Sequence, residues 1–287
     1  MIKPIVRSLL RRNAFPRFAA MTAAAASFSS SSSSTQALAL AATSTAFPDR
    51  QCTFTRLFSV SAYSGVPSDG KSGTEKLGLP LQAQLPRPDG GGYRRVEVDT
   101  FQTVQEVEAG WKLMNDVIIE GKSWPFEPIF ETEEAFRGYF LSNAAFVVRN
   151  IEPDDVTPPV LGCFYIKPNF PGRCSHVANG GFIVDPRVRG SRVGTLMGAC
   201  FKRYAKDLGY KAAYFNLVFE SNQVSVKLWE SLGFERVAVI PKAAKLEGMP
   251  IDPETGEPKL DAAFGYHIDL DKVPEDYDPL DELDPLT

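Results

Sequence analysis

Three arginines and two glycines stand together where a strand gives way to a helix: Ile183-Val184-Asp-Pro186-Arg187-Val-Arg189-Gly190-Ser191-Arg192-Val193-Gly194-Thr195. The apolar run from Gly181 ends at Pro186, which breaks a strand, and a one-face apolar stripe begins at Val193. Such a turn suits a phosphate group. The first turn of a helix has free N–H groups and the positive end of the helix dipole, and glycine lets a ligand come close. Nearby arginines add charge-assisted contacts to phosphate oxygens. The chain has neither Gly-x4-Gly-Lys-Ser/Thr nor Gly-x-Gly-x-x-Gly, which argues against a P-loop and a dinucleotide loop.

Asparagines make up the second chemical group. Asn179 precedes Gly180-Gly181 inside a strand, where glycine marks a bulge or a close backbone approach. A bulge there would free N–H groups to hold a carbonyl oxygen as it gains charge. Asn216 lies between Phe215 and Leu217 in an otherwise apolar strand. A buried amide needs partners, either a ligand or a neighbouring backbone. Asn222 follows Glu220-Ser221 at a helix start, where asparagine is a good N-cap, so it could serve both as cap and as ligand contact. Candidate proton acceptors are Glu220 and His176, each also readable as an ordinary surface group.

The elements that must position these residues begin at 94. Arg94–Phe101 alternates with period two, and Val104–Glu120 and Glu133–Leu141 have helical spacing, with Thr132 as an N-cap. Strands are expected at Ala144–Asn150, Val160–Lys167 and His176–Val184. A helix is expected at Ser191–Leu208, then a strand at Lys211–Phe219 and a helix at Asn222–Leu232. Phe234–Ile240 and Phe264–Leu270 complete the set. A meander followed by alternation with helices indicates an α/β domain over 94–270, with a mixed sheet and helices on its faces. Residues 59–93, rich in Gly, Pro and Ser, read as a disordered linker, and 271–287, with seven acids and one lysine, as a solvated acidic tail.

The charge is uneven. Residues 1–58 have seven basic residues and one acid, leaving 24 basic and 34 acidic residues in 59–287, a formal charge of −10. A body so acidic is a poor candidate for binding nucleic acid or an anionic membrane. Four unpaired-looking cysteines and two histidines argue against a zinc site and a disulfide scaffold. No apolar run approaches the roughly 20 residues of a membrane span. The leader, acid-free to residue 48, places Arg7 and Arg11 one turn apart beside Val6, Leu10 and Ala14. Residues 1–58 therefore read as a mitochondrial-type transit peptide, with Arg56-Leu-Phe-Ser59 resembling a presequence cleavage site. Plastid and cytoplasmic locations are the alternatives, and Met21 offers a second start that would discard the basic helix.

The turn from Val184 through Pro186, Arg189, Gly190, Val193 and Gly194 resembles motif A of the GNAT superfamily of N-acetyltransferases, and Asn222-x-x-Ser225-x3-Trp229-x3-Gly233-Phe234 resembles its motif B. The narrower likeness, over about 176–246, is to fungal acetyltransferases of proline analogues such as azetidine-2-carboxylate. It rests on His176-Val-Ala-Asn179-Gly-Gly, Tyr214-Phe-Asn216-Leu-Val-Phe-Glu220 and Ile240-Pro-Lys-Ala-Ala-Lys-Leu246. The resemblance implies a GNAT fold, a mostly antiparallel sheet of about seven strands with helices on both faces. It implies acetyl-CoA as co-substrate, without a metal, held by Ile183, Val184, Arg189, Gly190, Ser191, Arg192, Val193, Gly194, Thr195 and Asn222. It implies catalytic roles for Asn179, Asn216 and Asn222, Asn216 holding the substrate carboxylate, and a small-molecule amine attacking directly in a ternary complex. A homodimer is also implied. Two residues depart from the family pattern: Arg192 replaces a usual glycine, with its guanidinium expected to compensate from the side, and Trp229 replaces the tyrosine that commonly protonates the leaving thiolate. That second departure motivates one rival reading, a non-catalytic acyl-CoA-binding or regulatory module. The other rival is a protein acetyltransferase acting on N-termini or lysines.

Overall fold

The computed structural model describes residues 70–283 except 72 and 153–156. The leader and residues 59–69 and 72 of the linker lie outside the described residues. Local signals set the helices. Thr103 and Glu106 form a reciprocal capping box that starts α1 (Val104–Glu120), and Gly121 ends it at φ 67°. Thr132 caps α2 (Glu133–Phe140) by accepting the N–H of Ala135.

The strands are β1 (Leu81–Pro86), β2 (Tyr93–Thr100), β3 (Ala144–Asn150), β4 (Val160–Pro168), β5 (Val177–Val184), β6 (Ala212–Phe219), β7 (Glu235–Ala244) and β8 (Asp261–Asp269). They form one sheet in the order β1-β2-β3-β4-β5-β6-β8-β7. Every pairing is antiparallel except β5–β6, whose crossover passes through α3 (Val193–Asp207). The last helix, α4 (Gln223–Ser231), joins β6 to β7.

Alternation along the strands fills two layers. Phe164, Phe201, Phe215 and Trp229 pack between the sheet and α3/α4, while Met114, Phe136, Phe140 and Tyr165 pack between the sheet and α1/α2. Burying each such side chain is worth about 1.5–3 kcal/mol. Arg149 of β3 fastens α1 to the sheet, donating to Glu97, Asp99 and Glu106 at 2.5, 3.0 and 2.7 Å. Those carboxylates push its already high pKa further up, against the opposing effect of burial.

Two segments depart from the sequence-based expectation. Residues 81–86, expected as linker, form β1, an eighth strand paired with β2 from Leu81↔Val98 to Pro86↔Tyr93. Its inward residues Ala83 and Leu85 are buried, and the flanking prolines sit where an edge strand tolerates them. The acidic tail, expected to be solvated, lies along α3 with Val273 buried and Leu280 and Leu283 packed against the core. Basic residues of α3 hold it there, Lys202 on Glu282 at 3.0 Å and Lys206 on Glu275 at 2.8 Å.

Candidate active site

The sheet opens beside the expected phosphate turn. β5 and β6 pair only at Val177↔Ala212 and Ala178↔Ala213, and beyond these no ladder pair joins Asn179–Val184 to Tyr214–Phe219. The result is a fork about 17 Å long from Asn179 to Val184, at roughly 3.3 Å per residue. The turn stands at its wide end and the asparagines at its apex.

At the wide end, Gly190 has φ 82° and Arg192 φ 63°, both left-handed. A left-handed Arg192 explains why glycine is the easier residue there. Among the described residues the N–H groups of Val193, Gly194 and Thr195 find no acceptor, as the first turn of an uncapped helix requires. A Cβ at Gly190 would meet nothing within 4 Å, and one at Gly194 would meet Leu228 and Val184 only at ordinary contact. The cradle is therefore open, and its unpaired N–H groups fit the diphosphate of coenzyme A.

The arginines are less available than expected. Arg189 donates to both carboxylate oxygens of Glu120 at the end of α1, at 3.0 and 2.7 Å. That pairing holds the Glu120 carboxyl below its ordinary range. Arg187 is held by Asp185. Arg192 does not compensate from the side of the cradle: its guanidinium donates to the carbonyls of Leu283 and Glu282 in the tail. The Ser191 hydroxyl closes the turn onto the carbonyl of Val188 at 2.6 Å, and Val193 and Ile183 are core residues. Val184 and Thr195 are partly buried at the cradle.

At the apex, the structure brings Asn179 and Asn216 together through a third amide that sequence reasoning missed, Asn169. Its Oδ1 accepts from Asn179 Nδ2 at 2.8 Å and from Asn216 Nδ2 at 2.7 Å, while its Nδ2 donates to Asn216 Oδ1 at 3.0 Å. Asn169 follows β4 directly, and only the fold carries it opposite β6. Asn222 lies apart from this cluster and caps α4 by accepting the N–H of Ser225 at 3.2 Å. His176 and Glu220 are exposed and join no hydrogen bond of the cluster.

The bulge expected at Gly180-Gly181 is elsewhere. β4–β5 register runs unbroken through Ile166↔Gly180 and Tyr165↔Gly181, and the shift lies in β6 between Phe215 and Val218, at Asn216-Leu217. The glycines instead make room for aromatic rings. A Cβ at Gly181 would come within 2.5 Å of Trp124 and 2.6 Å of Tyr165, and one at Gly180 within 2.7 Å of Phe201. Trp229 is a buried core residue, its ring 4.5 Å from that of Phe215 and 4.7 Å from that of Phe182.

Lys167, also missed, lies in β4 directly opposite Asn179. Its Nζ rests 3.9 Å from the ring centre of Tyr139 and 4.3 Å from that of Tyr165. Burial pushes its pKa down to about 8. Burial also pushes Tyr139 up to about 12, with its hydroxyl 3.0 Å from that of Tyr165, so both phenols are neutral around Lys167 at physiological pH.

A surface hollow lined by Gln82, Ala83, Gln84, Arg95, Leu280 and Leu283 lies away from this site, at the β1 side of the sheet. Among the described residues no group of three or more His, Cys, Asp or Glu is placed to hold a metal ion.

Residues 111–234 match the acetyltransferase (GNAT) family. The N-acetyltransferase aca1 of Schizosaccharomyces pombe is 47% identical over 89 residues, which are 31% of this chain and 43% of that protein, so the chain spans less than half of that relative's length. A GCN5-related N-acetyltransferase from Kribbella flavida is 26% identical with a TM-score of 0.51, over 61% of this chain and 97% of that one. The structure of yncA from Salmonella typhimurium, determined with its cofactor acetyl-CoA, shares the fold at 14% identity and a TM-score of 0.50, over 64% of this chain and 98% of that one. Residues 111–234, whose sequence matches the acetyltransferase (GNAT) family, contain the splayed strands and the open helix N-terminus, and the described residues share the fold of the GCN5-related N-acetyltransferase.

Proposed function

We propose that this protein is an acetyl-CoA-dependent N-acetyltransferase acting on the amine of a small amino-acid-like molecule, proline analogues such as azetidine-2-carboxylate being the first substrates to try. The observation that carries the reading is the fork itself, with an open N–H cradle at one end and a three-amide cluster at the other. Acetyl-CoA supplies the activated acyl group as a thioester. The chain's part is to bind and orient. The N–H groups of Val193 to Thr195 hold the diphosphate, and the unpaired edge of β5 guides the arm toward Asn179. Asn179 and Asn216, locked by Asn169, position the acceptor at the apex. Fixing two reactants in attack geometry is a large part of what such a site can contribute.

A small acceptor is favoured over a peptide by that apex, where a residue-sized group meets three amides and a wall of aromatic rings. The test combines calorimetric titration with acetyl-CoA and thiol release over azetidine-2-carboxylate, hydroxyprolines and a histone-type peptide. Turnover of the small amines supports the reading. Binding without turnover on any amine identifies an acyl-CoA-binding module, and turnover of the peptide alone identifies a protein acetyltransferase. Asn216→Ala is expected to lose turnover at least tenfold while acetyl-CoA affinity stays within twofold. Arg189→Ala is expected to weaken acetyl-CoA by only a few fold, since Glu120 already engages that guanidinium. We further propose a mitochondrial address for residues 1–58, tested by fusing them to a fluorescent reporter, with diffuse cytoplasmic signal as the contrary result.

A further inference from the structure

The acceptor face holds a cation with no counter-charge among the described residues. Lys167 and Asn179 are opposed in the β4–β5 ladder, so their side chains share one face with Cβ atoms roughly 5 Å apart. Lys202 and Lys206, the other largely covered lysines, each meet an acid. Lys167 meets none among the described residues, only the faces of two neutral phenols. Ring faces attract a cation, yet they leave its charge uncompensated. A partly desolvated ammonium without a partner is costly, and an arriving anion would relieve that cost. The neutral amides beside it are largely occupied with one another, although Asn179 Oδ1 has no donor among the described residues.

We infer that the Lys167 ammonium anchors the carboxylate of the acceptor, selecting amines that carry a carboxylate on the adjacent carbon. This rests on the acceptor site proposed above. Lys167 takes the carboxylate, Asn179 Oδ1 lies about one residue width away to receive an N–H of the amine, and the hydrophobic ring body lies against Tyr165 and Trp124. Asn216, tied at both ends to Asn169, then shapes the apex, and the principal carboxylate contact passes to Lys167.

The experiment uses the full chain, azetidine-2-carboxylate against azetidine, and the variants Lys167→Met and Lys167→Arg. The expected result for Lys167→Met is a KM for azetidine-2-carboxylate raised at least tenfold, with azetidine kinetics and acetyl-CoA affinity within twofold of the parent and Lys167→Arg intermediate. Equal losses on both amines, or no loss on the carboxylated one, would overturn the anchor. Calorimetric titration of both amines into the protein saturated with coenzyme A separates this inference from the catalytic one. Binding of azetidine-2-carboxylate that needs Lys167, without turnover by the parent protein, keeps the anchor and removes the transferase reading. Carboxylate-independent binding, or no binding of either amine, removes the anchor.

Discussion

At the residue scale, Lys167 shows how a side chain can cost stability at a site. Its pKa falls from 10.5 to about 8 on folding because burial disfavours the ammonium. Between pH 8 and 10.5 the unfolded chain holds more protons than the folded one, so stability rises with pH across that window. The penalty is present in full below pH 8. Lys167→Met is therefore expected to stabilise the protein by about 2 kcal/mol at pH 7, an advantage that fades toward pH 10.5. Urea unfolding of parent and variant at pH 7 and pH 10 measures this, and equal stabilities at pH 7 would show that the tyrosine faces fully compensate the charge. Asn222 is a simpler case. As the N-cap of α4 its replacement by Ala should cost about 1 kcal/mol, and Asn222→Ser should recover most of it. A much larger effect on acetylation than on stability would give Asn222 a role beyond the cap.

At the element scale, glycines adjacent to the fork have different jobs, and two substitutions separate them. Gly181 lies where β5 passes under Trp124 and Tyr165, so Gly181→Ala forces those rings apart and should cost about 2–3 kcal/mol. Gly190 has open space around it and a left-handed φ, so Gly190→Ala should cost only about 1–2 kcal/mol, from backbone strain. Thermal unfolding of both variants checks the order, and a milder effect at Gly181 would mean that the wall of rings yields easily. The sequence marked both glycines as special, but the identity of what approaches Gly181 required the neighbours from α1–α2 and β4.

At the scale of the whole molecule, the tail and the phosphate turn are one unit. Arg192 at the start of α3 and Lys202 and Lys206 further along it hold backbone carbonyls and acids of residues 273–283. Truncation after Leu270 would expose the α3 surface under Val273 and Leu280 and release Arg192 from its bonds. We expect a loss of about 2–4 kcal/mol, since several buried apolar groups are uncovered at once, and a weaker hold on acetyl-CoA as the turn loosens. Denaturation together with acetyl-CoA titration of the truncated chain tests both, and unchanged acetyl-CoA affinity would show that the turn is rigid on its own.

What the sequence determined by itself is what depends on neighbours a few residues apart. Helix caps at Thr132 and Asn222, the period-two run of β2, and the strand–turn–helix from Ile183 to Thr195 all follow from local hydrogen bonding and side-chain spacing. The tertiary structure decided what depends on residues far apart in the chain. A short edge strand between prolines gains its ladder only from β2, and the acidic tail gains its place only from the lysines of α3. Asn169, Asn179 and Asn216 form one cluster because β4, β5 and β6 lie side by side, with β6 bulged at Asn216. Lys167 is a partly buried cation with no acidic partner among the described residues, and Tyr139 of α2 lies against it. Burial and the absence of a counter-ion arise from the surroundings in space, so neither could be read from the order of residues.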